Sequence, residues 1–535
     1  MLRLQRRLVR VLSARSRQYT SYPDPNEKPR ISQHITSKSL DAVAKQILDK
    51  SGSGFSLDSK FRMDELFPGV PVSTGILEEA PPTTLSSKLG NGLVVATQEM
   101  HGLMSSFAFV MAVGSSSEKQ TGVAESLTTG VTQILELTAF GNTENRSQQQ
   151  FSAEMEQLGG MVQCISSREQ IMFCVDVLRE NIEPALKLLA DTVLTPRLAE
   201  DDITEAREVI ALQANELPAE QLSRDAATVA AFAGSPLGNT HFCPPEAAAR
   251  ITRRGVQEFR TRHLLGSNSL VSAAGVEHTS FVQLVERHFS ALPAGTSEIP
   301  GEPVYSGGMV KNERPLQEPF VKVALAFPVG GWKDDRLVPC CVLQQLMGGG
   351  SSFSAGGPGK GMYTRLYREM LNQHHWVESA EAFMVVHNEA GLLGIDGACA
   401  PEFVKDLIRE ILFQLCRLGV EPVSDVELSR AKNMLKSMML MQLESRLILC
   451  EDIARQVAIY GKRAPPEDIC AKIDAVTQDD ILKLAADMLK SRVSVGCAGH
   501  DLSHIPAYAD IDAFVRQMKV ALEQNIQPKG GGGQR

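Results

Sequence analysis

Aromatic residues are scarce in this chain of 535 residues, at only 5%. A surface that stacks bases has few candidates to draw on. No run of about 18 apolar residues occurs, which excludes a spanning helix. Positive charge is in the minority: 54 Lys and Arg against 63 Asp and Glu leave a net charge of −9. That argues against bulk affinity for phosphate backbones. None of the ten cysteines forms a Cys-x-x-Cys pair, and Cys340 and Cys341 are adjacent. A disulfide framework is denser and belongs to shorter secreted chains, so the thiols are expected to be mostly reduced and buried. The 43% hydrophobic and 22% charged content is that of a globular protein, which excludes global disorder and a collagen-like fibre. The length predicts two to four domains.

The charge is unevenly placed. Residues 1–19 hold six arginines (Arg3, Arg6, Arg7, Arg10, Arg15, Arg17), and the first acid is Asp24. Leu4, Leu8, Val11 and Leu12 can share one helical face. An Arg-rich, acid-free amphipathic start is the composition of a mitochondrial transit peptide; the alternative is a basic disordered tail. Arg17-Gln18-Tyr19 before Thr20-Ser21 is similar to a matrix-peptidase cleavage site. Residues 20–75 read as a variable extension with five prolines and a short helix near 39–50. Residues 511–535, ending in Gly530–Gly533, read as a tail.

The body repeats itself at a period of about 220 residues, far too long for a solenoid. Pro244-Pro245-Glu246, a helix and the strand Leu270–Gly275 recur as Pro465-Pro466-Glu467, a helix and Val493–Gly499. Ala206-Arg207 in a helix after Pro196 recurs as Ala431-Lys432 after Pro422, and strand 107–114 recurs as 323–330. Two homologous domains are therefore expected, at 76–292 and 320–510. Between them, residues 293–319 carry five prolines and read as an extended linker.

Each half begins with strands: 85–99 around a Gly90-Asn91-Gly92 turn, then 105–113. A helix at 123–139 follows, then one capped by Ser147 with Gln150 three residues on. Ile171, Phe173, Val175 and Val177 alternate onto one face of a strand, and helices fill 181–232. The second half offers strands 320–328, helix 335–347, strands 376–398 and helices 401–460. The class is α+β, with largely antiparallel sheets packed by helices.

One loop stands out: Gly348-Gly349-Gly350-Ser351-Ser352-Phe353-Ser354-Ala355-Gly356-Gly357-Pro358-Gly359-Lys360-Gly361. Neither Gly-x-x-x-x-Gly-Lys-Ser/Thr nor Gly-x-Gly-x-x-Gly fits it, so a nucleotide site is disfavoured. Glycine leaves backbone donors and acceptors accessible, which suits a loop that contacts an extended peptide. A plain connector would be shorter.

The segment GGGSSFSAGGPGKGMYTRLYREMLNQHHW (348–376) resembles the glycine-rich loop of α subunits in the mitochondrial processing peptidase group of the pitrilysin-like (M16) metallopeptidase family. GVEH (275–278), HFCPPE (241–246), LADTVLTPRL (189–198) and the MMLMQLESR…EDIARQV run (438–457) extend the resemblance over roughly residues 75–505. Active members carry His-x-x-Glu-His on a helix and a distal Glu roughly 76 residues later. Here the matching segment is Gln133-Ile134-Leu135-Glu136-Leu137, and the distal position is Gln213. Leucine has no lone pair to offer, and Gln is a poor zinc ligand beside His or Glu. Glu136 then has no metal to work with and is expected as a solvated or salt-bridged helix carboxylate. His500 and His504 lack a third ligand, and the adjacent His374 and His375 point apart on a helix.

The resemblance implies a non-catalytic subunit of two pitrilysin-like domains, without a catalytic or metal residue or a cofactor of its own. Residues 348–361 would bind presequences of imported precursor proteins, presenting them to the zinc of a processing peptidase β subunit in the mitochondrial matrix. Strand addition would give affinity, and Glu378, Glu381 and Asp396 are the candidate arginine readers, although surface acids are usually just solvated. The alternative is a structural core subunit of respiratory complex III, on the matrix side of the inner membrane, alone or in addition to processing. The full glycine loop favours processing. No nucleic-acid partner is expected.

Overall fold

The computed structural model describes residues 82–119, 128–296, 301–314, 319–352 and 361–526. The expected transit peptide, the 20–75 extension with its short helix, residues 353–360 of the glycine loop and the final glycines lie outside them.

Twelve strands among the described residues form two six-stranded sheets. The first half supplies β1 (Thr84–Lys88), β2 (Val94–Gln98), β3 (Met104–Met111), β4 (Met161–Ser166), β5 (Ile171–Leu178) and β6 (Ser269–Ala274). The second supplies β7 (Gly308–Glu313), β8 (Val321–Gly330), β9 (Gly349–Ser351), β10 (Val377–Val386), β11 (Ala390–Cys399) and β12 (Ser494–Gly499). The strand orders are β1-β2-β6-β3-β5-β4 and β7-β12-β8-β11-β10-β9. Set aside β1 at one edge and β9 at another, and the two orders match strand for strand. Even the direction matches: β2–β6 and β7–β12 are the parallel pairs, and the other pairs are antiparallel. The repeat read in the sequence is thus a repeat of topology.

Local chemistry explains the elements. The turn between β1 and β2 is held by Asn91, whose amide donates to the carbonyls of Phe289 and Leu292 and accepts from the Leu93 N–H. The Ser147–Gln150 capping box is present at the start of helix Gln148–Gln157, satisfying two donors that a helix end would otherwise orphan. Ile171, Phe173, Val175 and Val177 all enter the first core. Both Pro-Pro-Glu segments open helices, and Thr252 and Thr477 cap the helices that follow. All ten cysteines are free thiols, seven of them buried.

The two halves exchange helices. Helix Ala219–Ala231 of the first half lies on the second sheet, where Ala227, Ala231 and Phe232 meet Ala324, Ala326, Phe383 and Leu392. Helix Arg446–Tyr460 of the second half lies on the first sheet, with Leu449, Ile453 and Val457 against Ala96, Ala108, Val110 and Met172. Each fully buried Leu, Ile or Val contributes roughly 1.5–3 kcal/mol.

Three expectations change. Part of the 293–319 linker is β7: no proline falls between Pro303 and Pro315, so its N–H groups are free to pair with β12. The supposed tail from 511 instead continues helix Tyr508–Ile526, and its Ile511 and Val515 are buried in the second core. The helix expected at 123–139 is Val131–Leu137, entered through Gly130 in a left-handed conformation; residues 120–127 lie outside the described chain. No helix among the described residues is long and apolar enough to cross a membrane.

Candidate substrate-binding site

The first stem of the glycine loop is β9, an edge strand on β10 that pairs Gly349 with Glu381, Gly350 with Ala380 and Ser351 with Ser379. Two positions demand glycine. Gly348 and Gly349 have φ of +55° and +105°, and a Cβ on Gly349 would collide with the Ala380 carbonyl oxygen. Buried Thr364 joins the two stems: its hydroxyl accepts from the Gly349 N–H at 3.2 Å and donates to the Gly361 carbonyl at 2.6 Å. Tyr367 Oη donates to the Ser351 carbonyl at 3.1 Å, and Ser352 N–H to the Glu378 carbonyl at 2.8 Å. Of the expected binding residues, Gly348–Ser352 and Gly361 form this base; Phe353, Ser354, Ala355, Gly356, Gly357, Pro358, Gly359 and Lys360 lie outside the described residues.

Gly350 and Ser351 open onto a cleft of about 300 Å³ lined by Glu220, Phe320, Lys322, Glu378, Ser379, Glu381 and Asp396. The three acids expected from sequence thus meet at the loop's first stem. Two charged residues that sequence reasoning did not single out join them from the exchanged helix, Glu220 and Arg224. Arg224 reaches Glu220 and Glu381, each at 2.9 Å, and its Nε donates to Asp396. Lys322 Nζ donates to Ser379 Oγ at 3.0 Å. Four carboxylates against two cations leave the cleft negative. Asp396 is only 1% exposed. Burial pushes its carboxyl up to about 6; Arg224 pulls it down, and Glu220 and Glu381 add to the rise. Among the described residues, Glu220, Glu381 and Asp396 are the one group of three acidic, His or Cys side chains close enough to share an ion. What they hold is a guanidinium, that of Arg224.

The segments that match the family's zinc motif also converge. Gln133, Glu136, Gln213, Glu216 and His241 line a separate cleft of about 230 Å³. Their donor set does not fit zinc. Gln133 Oε1 already accepts from the Cys243 N–H at 2.9 Å, and Leu137 packs against the apolar core. Among the described residues Glu136 has no ion-pair partner, and it is hydrogen-bonded rather than simply solvated, which corrects the expectation. It accepts from the Ser166 hydroxyl at 2.5 Å and the Ser166 N–H at 3.2 Å, at the end of β4. Burial raises its carboxyl above the ordinary range, and the Ser166 bonds oppose that. His241 is pushed below the usual histidine range, by burial first and by Arg168 second.

Comparison with known proteins identifies the family. The family model described as Insulinase (Peptidase family M16) matches residues 94–245, and that described as Peptidase M16 inactive domain matches 250–435. The mitochondrial-processing peptidase subunit alpha of Solanum tuberosum is 33% identical over 474 residues, 88% of this chain and 91% of the relative. The Bos taurus subunit alpha is 31% identical, over 85% and 91% of the two chains. A chain in the structure "Complex III2 from Candida albicans, Inz-5 bound" has the same fold, with a TM-score of 0.69 at 19% identity, covering 81% of this chain and 99% of its own. The chain belongs to the M16 peptidase family, in the group of mitochondrial processing peptidase α subunits.

Proposed function

We propose that this chain is the non-catalytic, substrate-recognition subunit of a mitochondrial processing peptidase. It binds the basic presequences of imported precursors and hands them to a zinc-bearing β subunit in the matrix. One observation carries the reading: the glycine loop springs from the wall of a negatively charged cleft that already accommodates a guanidinium. The residues at the zinc-motif positions support a chain that leaves the metal, and the hydrolysis, to its partner. An extended presequence would add its backbone at the loop while its arginines enter the cleft.

The test is reconstitution with a zinc-bearing β subunit and an arginine-bearing presequence peptide. Glu378→Gln with Glu381→Gln is expected to lower kcat/KM about tenfold or more, as loss of charge-assisted contacts does. A peptide without its arginines should respond less. Metal analysis should find zinc in the partner and none held stoichiometrically by this chain alone. Unchanged turnover, or tight zinc in the isolated chain, overturns the proposal. Co-purification only with cytochromes, in a large membrane assembly without processing activity, would place the chain among complex III core subunits instead.

A further inference from the structure

The second stem of the glycine loop meets a surface of different chemistry. A Cβ on Gly361 would lie 3.7 Å from Met434 Cε. Met434 begins a stripe on helix Asp425–Leu443: Met434, Met438 and Met441 are four and three residues apart, on one face. Met438 and Met441 are 37% and 61% exposed. Beside Gly361, Met362 and Tyr363 also stand in solvent, Tyr363 at 73%, with the Arg430 guanidinium 5.7 Å from the Tyr363 ring. The helix sends Leu428 and Ala431 into the core, and although Met438 Sδ meets Gln345 Nε2 at 4.0 Å, Met438 and Met441 keep an outer side in solvent. Methionine is unbranched and polarizable, and it adapts to apolar partners of varied shape.

Thr364 is hydrogen-bonded to both stems. The acid cleft and the methionine stripe therefore start on either side of one side chain. Resting on the function proposed above, we infer that Met434, Met438 and Met441, with Met362 and Tyr363, receive the apolar face of the same presequence whose arginines enter the cleft. The pairing of surfaces selects the occupant. A transit segment is amphipathic, arginine-rich and poor in acid. A purely apolar partner would leave the negative cleft uncompensated, and a purely basic one would leave the stripe in water. An adaptable methionine surface reads apolar character without fixing a sequence.

The test uses the chain assembled with its zinc-bearing β subunit and two labelled peptides. One is basic and amphipathic; the other keeps its arginines but has serine or glycine for its apolar residues. Met438→Gln with Met441→Gln should weaken binding of the first about tenfold, the scale of a lost apolar anchor, and of the second less than twofold. Met438→Leu with Met441→Leu should bind both like the unaltered complex. Unchanged binding of the amphipathic peptide by the glutamine variant overturns the inference. So does equal loss for both peptides, or release of the β subunit in a sizing run, which would assign the stripe to folding or to the subunit interface. If Glu378→Gln with Glu381→Gln weakens binding while the methionine variant does not, the acid-cleft reading stands and the stripe falls. If the unaltered complex binds neither peptide, both fall together.

Discussion

Asp396 lies on β11 where the exchanged helix crosses the second sheet, and its carboxylate faces Arg224, Glu220 and Glu381. Its burial and its charged neighbours give it two pH dependences of opposite sign. The folded chain holds the Asp396 proton up to about pH 6, whereas the unfolded chain releases it near the ordinary aspartate value. The folded state then binds more protons across that window, so the stability from this group is fullest below it. That stability declines as pH rises towards 6. Binding runs the other way, because ionised Asp396 adds negative charge to the cleft. Affinity for an arginine-bearing peptide should therefore rise from pH 5 to pH 7, and Asp396→Asn should weaken binding at pH 7 and flatten the profile. A titration of peptide affinity alongside urea denaturation over that range checks both signs. A pH profile unchanged by Asp396→Asn would remove Asp396 from recognition.

Helix Ala219–Ala231 seats on the second sheet through small residues. Ala226, Ala227, Ala230 and Ala231 are all buried, and Gly496 of β12 lies beneath them. A Cβ on Gly496 would collide with the Ser223 carbonyl and the Ala227 backbone. Gly→Ala in a compatible strand conformation usually stabilises, by about 0.4–1 kcal/mol, through the unfolded chain. Here the collision reverses the sign, since it involves backbone on a packed helix. Gly496→Ala should destabilise by about 1–3 kcal/mol, the usual cost of overpacking, as a lower urea midpoint. A midpoint that rises would mean the helix can lift without cost. Hairpin, capping box and strand alternation were legible because each is a local pattern. The alanine face of 219–231 is local too, but nothing in it says which sheet it will cover. For that reason Glu378, Glu381 and Asp396, near the loop in sequence, were readable as candidates, whereas Glu220 and Arg224 were not. Strand β7 and helix Tyr508–Ile526 were missed because flanking prolines and terminal glycines dominate the composition around them.

At the scale of the whole chain, duplication and exchange have opposite consequences. A tandem repeat with its own core in each half could unfold in two steps. The exchanged helices bind the steps together. Without helix Arg446–Tyr460 the first sheet would expose Ala96, Ala108, Val110, Met172 and Leu270; without helix Ala219–Ala231 the second would expose Ala324, Ala326, Phe383 and Leu392. Neither half can open without uncovering an apolar sheet face in the other, and each such face costs several kcal/mol once wetted. The two sheets should therefore unfold as one cooperative unit. Native-state hydrogen exchange followed by mass spectrometry separates the alternatives. Amides of β3 and β5 in the first sheet and of β8 and β11 in the second should converge on a common opening free energy as urea rises. Gly496→Ala, placed in the second half, should lower protection in both sheets by a similar amount. If only β8 and β11 lose protection while β3 and β5 keep theirs, the halves are independent, and the exchanged helices are packing without coupling.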